Sequence, residues 1–382
     1  MRRILVAILC ACALVHGQDV RRALPLDAGA GIDEQAKFLA GYPLPPTGAL
    51  GKWQATPAGL AHAKAFESLW ARYNENYFTP MRLWAAAEVS PRILPNAPVF
   101  YFFGGPDAVS ALALYPAAED YLLGGLEPVG SLPEPGSLPD DRLRAALDNL
   151  RTSTEAILSF GFFITKEMKS NLDATDFHGV LPVLLTFVAM TGGEVLDVCY
   201  FGIDQEGSAQ DFGTAFHEAK GMLPGVRITF RKDAASPPQR IHYVQANVAD
   251  DALKSRASVL KWAARFGKGN VYLKAASYLL HKPYFSSARN FLLGQAASVL
   301  QDDSGIPFSF FQNGEWRCWF FGTYTGTLDI FKKHYQPDLE RAFRVSGTPL
   351  ALGTGYKWRV GESNLLFAIR QTPPKAEPVS RE

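Results

Sequence analysis

The sequence has few cysteines. Four occur in 382 residues, and Cys10 and Cys12 lie in an N-terminal apolar run from Ile4 to Val15. The other two, Cys199 and Cys318, lie far apart in the chain, which excludes a zinc knuckle built from one short segment. In an oxidising compartment Cys199 and Cys318 could form a disulfide. The alternative is two separate buried thiols that pack as small hydrophobic side chains.

The sequence also lacks an excess of charge of either sign. Its 38 Lys and Arg side chains nearly balance 37 Asp and Glu side chains. A nucleic-acid-binding protein normally carries a basic face, so we predict no nucleic acid partner. The motifs G-x-S-x-G and H-E-x-x-H are absent, which argues against a serine hydrolase with a nucleophile elbow and against a zinc protease.

The N-terminal stretch MRRILVAILCACALVHGQDV has the pattern of a secretory signal peptide. Two arginines precede the apolar run, and small residues follow it before Gln18. The run is too short to span a bilayer. We therefore predict a signal peptide over residues 1–17 and a secreted or periplasmic protein with no transmembrane segment. Lipid attachment at Cys12 is the alternative, because the letters LCAC loosely resemble a lipobox.

No low-complexity linker divides the remaining chain, so we predict a single domain. Residues 18–50 are predicted to be an extended N-terminal segment, and residues 51–370 the folded domain. Residues 371–382 are rich in proline and charge and are predicted to be disordered. Helical spacing over Pro57–Asn74 predicts a helix at the start of the domain, and a second helix is predicted over Met81–Ala87.

The stretch VFYFFGGPDAVSALALYP, from Val99 to Pro116, predicts a strand, a turn and a helix. The next segment, DYLLGGLEPVG, predicts a second apolar strand, and two such strands joined by a helix favour a parallel pair. Three later segments, EVLDVCYFGID, GVRITFRKD and RIHYVQANV, are typical of an antiparallel meander. Together they predict an α/β domain with a mixed parallel and antiparallel sheet, helices on both faces and a helical N-terminal lead-in.

Two acidic residues, Asp107 and Glu127, follow the two strands of the predicted parallel pair. The carboxyl ends of such strands face the crevice in which open α/β sheets bind ligands. Glu127 lies 22 residues after Gly105, where dinucleotide-binding folds place a ribose-binding acid. However, the third glycine of that fingerprint is absent, Pro106 removes a backbone donor, and Asp107 would repel a phosphate. A nucleotide cofactor is therefore not expected, and helix initiation by Pro106 and Asp107 is the alternative role.

A second acidic pair, Asp302 and Asp303, follows the segment YFSSARNFLLGQAASVL, whose apolar spacing predicts a helix. Acidic side chains at the C-terminal end of a helix oppose its dipole. Asp302 and Asp303 are therefore candidates for a carboxylate pair that binds hydroxyls or a hard cation. The alternative is a type I turn from Asp302 to Gly305. The segment IPFSFF that comes next predicts a strand.

Three further side chains are candidate ligand-binding groups. His178 lies in DATDFHGV, and Tyr278 and His281 lie in SYLLHKPYFSS. Histidine changes its charge near neutral pH and often acts as a general acid or base. A helix-capping role for His178 and a surface turn position for His281 are the alternatives.

Five segments of the chain resemble a family of uncharacterised secreted or lipid-anchored bacterial proteins. They are FYFFGGPDAVSALALYP, YLLGGLEPVG, LKAASYLLH, VLQDDSGIPF and SNLLFAIR. The resemblance extends from about residue 35 to about residue 370. It implies export, but it supplies no activity, ligand or catalytic residue.

The sequence favours a binding protein for a small polar or glycan ligand, held in a crevice lined by Asp107, Glu127, Asp302 and Asp303. One alternative is a carboxylate-dependent hydrolase of a glycan-type substrate, in which a buried acid with a raised pKa faces an ionised one. Another alternative is a degenerate nucleotide-binding fold that holds no nucleotide.

Overall fold

The computed structural model describes residues 30–131, 138–158, 177–214, 221–256 and 258–371. The predicted signal peptide and the predicted tail after residue 371 lie outside the described residues. The α-helices are α1 (Ala30–Leu39), α2 (Gly51–Gln54), α3 (Pro57–Tyr73), α4 (Thr79–Glu88), α5 (Ala108–Leu114), α6 (Asp140–Leu158), α7 (Leu181–Met190), α8 (Asp250–Arg256), α9 (Ser258–Ala264), α10 (Ser286–Gln295) and α11 (Pro337–Ser346). The strands are β1 (Val99–Tyr101), β2 (Asp120–Gly125), β3 (Glu194–Ile203), β4 (Ala209–Gly213), β5 (Leu223–Arg231), β6 (Gln239–Gln245), β7 (Gly269–Leu273), β8 (Ala296–Gln301), β9 (Trp316–Gly322), β10 (Gly347–Thr348) and β11 (Asn364–Arg370).

The described strands form one sheet with the order β10-β9-β11-β8-β7-β1-β2-β6-β5-β3-β4. Its five central strands, β8, β7, β1, β2 and β6, run parallel to one another. Numbered along the chain and read from β6 to β8, these five strands have the order 3-2-1-4-5. Doubly wound sheets have this order, and they bind ligands at the point where successive strands switch from one side of the first strand to the other.

Antiparallel strands extend the sheet on both sides of this parallel centre. Strands β5, β3 and β4 continue beyond β6, and β11 and β9 continue beyond β8. The predicted meander of β3, β5 and β6 is confirmed, and the structure adds the edge strand β4. The predicted fold class, an α/β domain with a mixed sheet, is also confirmed.

Successive residues of the central strands face opposite sides of the sheet. At β1, Val99 and Tyr101 belong to a core cluster with side chains of α1 and α3 to α7. Phe100 and Phe102 belong to a second cluster with side chains of α8 to α11. Helices therefore cover both faces of the central sheet, which explains why the sequences of β1 and β2 are apolar without alternation.

Helix α3 begins where the sequence predicts. The Thr56 hydroxyl accepts a hydrogen bond from the Gly59 amide at 3.2 Å, and Pro57 occupies the first helical turn. Every residue of α7 is buried, and this helix contacts α1 and β3. None of the helices in the described part of the chain has the length and apolar composition needed to cross a membrane.

The helix predicted to lead into Asp302 and Asp303 ends earlier than expected. Helix α10 stops at Gln295, and the residues from Ala296 to Gln301 form strand β8, which pairs with β7 on one side and β11 on the other. These pairings decide the conformation because strand formation depends on neighbouring strands more than on local spacing. Asp302 and Asp303 therefore follow a strand, and the argument from the helix dipole is wrong.

Two other local predictions are corrected by the structure. The segment IPFSFF was predicted as a strand, but Phe308–Phe311 is a short 3-10 helix. The segment 18–50 was predicted to be extended, but its residues Ala30–Leu39 form helix α1. The Asp33 side chain of α1 accepts a hydrogen bond from the Val195 amide at 3.0 Å, so β3 holds this helix against the sheet.

The predicted disulfide between Cys199 and Cys318 is wrong. Cys199 lies on β3 and Cys318 on β9, near opposite edges of the sheet, and both are free thiols. Seven strands separate them. A disulfide needs Cα atoms within about 7 Å, whereas each step between neighbouring strands is already about 4.8 Å. The alternative of two separate thiols holds, with Cys199 buried and Cys318 half-buried.

Candidate functional site

A cavity of about 290 Å³ lies at the carboxyl ends of β1, β2, β6 and β7. It includes the position between β1 and β7, where the strand order switches direction. This is the place where open α/β sheets bind ligands. The segments that follow the four strands form much of the wall: residues 102–107 after β1, 126–127 after β2, 246–248 after β6 and 274–277 after β7.

The turn after β1 fixes Asp107 at the start of α5. The Asp107 carboxylate accepts a hydrogen bond from the Ser110 amide at 3.3 Å and caps the helix. It also accepts a hydrogen bond from the Tyr101 hydroxyl at 2.8 Å. Burial and the neighbouring Asp107 carboxylate raise the pKa of Tyr101. Asp107 therefore caps α5 as predicted and also lies in the cavity wall, whereas Pro106 precedes the cap and is not the first helical residue.

The Asp107 carboxylate also forms a buried ion pair with Lys274. The exposed fraction of the side chain is 7% for Asp107 and 5% for Lys274. The Lys274 ammonium donates a further hydrogen bond to the Ser110 hydroxyl at 3.0 Å. Lys274 was not identified from the sequence, although a lysine directly after the apolar strand segment NVYL is the signal that could have identified it.

Glu127 is the second carboxylate of the cavity. It lies two residues beyond the end of β2 and is 5% exposed. Its Oε2 atom is 3.3 Å from the Tyr243 hydroxyl, which also donates to the Glu127 backbone carbonyl at 2.9 Å. A Cβ atom on Gly125 would lie 2.4 Å from Glu127 Oε2, so glycine at this position leaves room for the carboxylate. The structure therefore brings Asp107 and Glu127 to one cavity.

The loop after β7 has an unusual backbone. Ala275, Ser277 and Tyr278 have φ angles of 51°, 53° and 52°. Residues with a side chain rarely adopt this left-handed region, and such strain occurs often at ligand-binding sites. Ala275 and Ser277 line the cavity, whereas Tyr278 does not. The strained backbone therefore forms part of the cavity wall.

The turn after β8 holds this strained loop in place. Asp302 accepts a hydrogen bond from the Ala275 amide at 2.8 Å, and the Ser304 hydroxyl accepts one from the Ala276 amide at 2.7 Å. The Ser304 carbonyl accepts a third from the Tyr278 amide at 3.2 Å. We call residues 302–304 the clamp turn. Because the left-handed backbone removes these N–H groups from the hydrogen bonds of the sheet, the clamp turn provides their acceptors.

Asp303 contacts side chains on two sides of the clamp turn. It accepts hydrogen bonds from the Tyr278 hydroxyl and from the Asn364 side-chain amide, the latter at 2.9 Å. Burial and the charge of Asp303 raise the pKa of Asp302, and burial raises the pKa of Asp303. The Gly305 amide donates to the Asp302 carbonyl at 3.3 Å, so a β-turn from Asp302 to Gly305 is present.

The predicted group of four acids is thus divided into two pairs. Asp107 and Glu127 line the cavity, but Asp302 and Asp303 are not among its lining residues. They lie behind the loop after β7, which they support through Ala275 and Tyr278. Their predicted contact with a ligand is replaced by contacts with the protein backbone and with buried side chains.

The predicted histidines also lie away from the cavity wall. The His281 ring packs edge to face on Tyr278, with ring centroids 5.2 Å apart, and burial lowers its pKa to about 4. His178 is half-buried, and its carbonyl accepts a hydrogen bond from the Ser131 amide at 3.3 Å. Within the described ranges, no group of three or more His, Cys, Asp or Glu side chains is arranged to hold a metal ion.

In comparisons with known proteins, no family model, curated protein or solved structure matches this chain. The resemblance to uncharacterised secreted proteins therefore stays a prediction, and the roles of the cavity residues must be argued from their geometry. Among the described residues, the charged side chains in the cavity wall are those of Asp107, Glu127 and Lys274. Asp107 and Lys274 form an ion pair with each other, whereas the Glu127 carboxylate accepts a hydrogen bond from the neutral Tyr243 hydroxyl.

Proposed function

We propose that this protein is exported and binds a small polar ligand in the cavity after β1, β2, β6 and β7. The N-terminal signal pattern supports export. The position of the cavity at the carboxyl edge of a parallel sheet supports ligand binding. Its volume of about 290 Å³ is close to the lower end of the range for small-molecule sites, which begins at about 300 Å³.

This proposal depends on the number of hydrogen bonds that the buried Glu127 carboxylate accepts. A carboxylate can accept about four hydrogen bonds. In the described structure we find one hydrogen bond to the Glu127 side chain, from Tyr243. A buried carboxylate is stable when it is well hydrogen-bonded, and the hydroxyl groups of a ligand would supply the additional donors. The ligand is therefore a molecule with hydroxyl groups.

The geometry favours binding over hydrolysis. A carboxylate-dependent glycosidase needs two carboxyl groups that flank the scissile bond, one of them able to give up a proton. Asp107 is instead paired with Lys274 and caps α5. Asp302 accepts hydrogen bonds from the Ala275 and Ser304 amides. The Asp107 and Asp302 carboxylates therefore bind other groups of the protein and are not placed to flank a scissile bond.

Thermal unfolding with a panel of neutral sugars, polyols and nucleosides tests the proposal. A ligand at about 100 times its dissociation constant should stabilise the protein by about 2.7 kcal/mol and raise the unfolding midpoint by several degrees. We expect at least one compound class to do so, and we expect Glu127→Gln to reduce the stabilisation to about half or less because the variant loses the anionic acceptor.

The matched control is Glu67→Gln, which makes the same chemical change on the exposed face of α3. It should leave the shift intact. The proposal is wrong if no hydroxyl-bearing compound raises the midpoint. It is also wrong if Glu127→Gln binds as tightly as the unaltered protein.

A further inference from the structure

We infer that the ligand is a ribonucleoside that carries no phosphate. This inference rests on the proposed function and specifies the ligand class. Its first support is the strand order 3-2-1-4-5 with a cavity at the switch between β1 and β7. In dinucleotide-binding sheets with this strand order, an acid about 20 residues after the glycine turn accepts a hydrogen bond from a ribose hydroxyl.

Glu127 occupies that position in this protein. It follows the second central strand, β2, and lies 22 residues after Gly105. The Glu127 carboxylate faces Gly105, because a Cβ atom added to that glycine would lie 3.6 Å from Oε2. The acid is thus placed against the glycine turn, as a ribose-binding acid is.

Several described residues elsewhere in the cavity wall are apolar. Ala246 and Val248 follow β6, the strand next to β2, and Leu279 and Phe285 line the same cavity. Ile157 of α6 also contributes. Ligand sites generally combine an apolar wall with a few polar groups that fix orientation. A ribonucleoside matches both features, since its ribose hydroxyls can donate to Glu127 and its nucleobase can pack against the apolar wall.

The glycine turn disfavours a phosphate. A phosphate at a helix start binds free backbone N–H groups and is attracted by the helix dipole. Pro106 has no N–H group, and the Asp107 carboxylate already accepts from the Ser110 amide. With the Asp107 and Lys274 charges paired, the Glu127 carboxylate leaves the described part of the lining with a net negative charge. A nucleoside therefore fits where a nucleotide would be repelled.

Isothermal titration of the purified protein tests this ligand class. The probes are adenosine, guanosine, cytidine and uridine, with the 2′-deoxynucleoside and the 5′-monophosphate of each. We expect at least one ribonucleoside to bind. Its 2′-deoxy analogue and its 5′-monophosphate should each bind about tenfold or more weakly, because one loses a hydrogen bond to a charged acceptor and the other adds a repelled charge.

Glu127→Gln completes a double-mutant cycle with the 2′-hydroxyl. The variant should bind the ribonucleoside about tenfold or more weakly than the unaltered protein does. It should bind the 2′-deoxynucleoside almost as well as the unaltered protein does, because that compound already lacks the 2′-hydroxyl that donates to Glu127. Glu67→Gln should change neither value. Circular dichroism spectra that match the unaltered protein would show that Glu127→Gln is folded.

The possible failures are distinguishable. If sugars or polyols bind through Glu127 and no nucleoside binds, the ligand class is wrong while the proposed function stands. If the 2′-deoxynucleoside binds as tightly as the ribonucleoside, Glu127 does not bind the 2′-hydroxyl. If the 5′-monophosphate binds as tightly, the glycine turn does not exclude a phosphate. If no compound binds, both the inference and the proposed function are wrong.

Discussion

Lys274 follows a strand of five buried residues, and its ammonium group remains inside the protein. A buried lysine is stable only when an opposite charge and hydrogen bonds compensate for lost hydration. Asp107 supplies the charge, and the Ser110 hydroxyl supplies a hydrogen bond. The pair therefore joins the carboxyl end of β7 to the start of α5 and fixes two walls of the cavity relative to each other.

Replacing Lys274 with methionine should destabilise the protein strongly. The variant leaves the Asp107 carboxylate buried without its cation, which typically costs about 3 to 5 kcal/mol. Urea unfolding followed by fluorescence measures this loss. The double variant Lys274→Met with Asp107→Asn should recover part of the stability, because asparagine is neutral and can still cap α5.

Lys254→Met is the control, because Lys254 pairs with Asp251 on the exposed surface of α8. This control should leave the unfolding midpoint in urea unchanged, since exposed ion pairs contribute little. A loss of stability in Lys274→Met no greater than in Lys254→Met would contradict the buried ion pair.

At the scale of single residues, the sequence was informative for one acidic pair and not for the other. Asp107 and Glu127 were predicted to face one crevice because both follow strands of a parallel pair, and the cavity contains both. Asp302 and Asp303 were assigned to the same crevice without a known position in the sheet. Lys274 was overlooked because lysine is almost always exposed unless it is paired, and its partner lies far away in the chain.

At the scale of elements, the loop after β7 is the most constrained connection of the site. Three of its residues that are not glycine have positive φ angles, and the clamp turn accepts hydrogen bonds from the amides of Ala275, Ala276 and Tyr278. A left-handed residue with a side chain costs about 1 to 2 kcal/mol relative to an ordinary conformation. The clamp turn compensates for this cost, which gives Asp302 and Ser304 a structural role without contact to a ligand.

Ala275→Gly tests whether this strain is real. Glycine relieves the left-handed strain, but it loses a methyl contact and makes the unfolded chain more flexible, so these effects should cancel to within about 0.5 kcal/mol. The matched control is Ala71→Gly on the exposed face of α3, which should lose about 1 kcal/mol. Chemical unfolding of both variants gives the comparison. A loss at Ala275 equal to or larger than the loss at Ala71 would contradict a strained loop.

Element boundaries were predictable where the signal is local. The start of α3 follows from Thr56 and Pro57, which cap and initiate the helix within one turn. The end of α10 was not predictable, because the residues from Ala296 onward keep helical spacing. Those residues become β8 through pairing with β7 and β11, and the partners are separate segments of the chain.

At the scale of the whole molecule, the order of the strands determines which residues share the site. The sequence predicted a mixed sheet and the β1–β2 pair, since these follow from apolar strands joined by a short helix. It did not predict that β1 also pairs with β7, where Val99 lies opposite Asn270. That pairing brings Lys274 to Asp107, and it depends on contacts between segments that no local pattern encodes.

The same strand order predicts the redox state of the cysteines. Seven strands of the sheet separate Cys199 from Cys318. Burial raises the pKa of both thiols, that of Cys318 to about 11. Both are therefore protonated and unreactive near neutral pH, because the thiolate is the reactive form. We expect neither air nor an oxidising compartment to link them.

Alkylation in denaturant without a reductant, followed by peptide mass spectrometry, tests this expectation. The peptides that contain Cys199 and Cys318 should each carry one alkyl group, and reductant should leave the unfolding midpoint of the native protein unchanged. The variant Cys318→Ser controls for assignment, because it should remove one alkylated peptide and leave the Cys199 peptide as before. A peptide from monomeric protein in which Cys199 and Cys318 are cross-linked would require their strands to be neighbours. The order that places Asp107, Glu127 and Lys274 around one cavity would then be wrong.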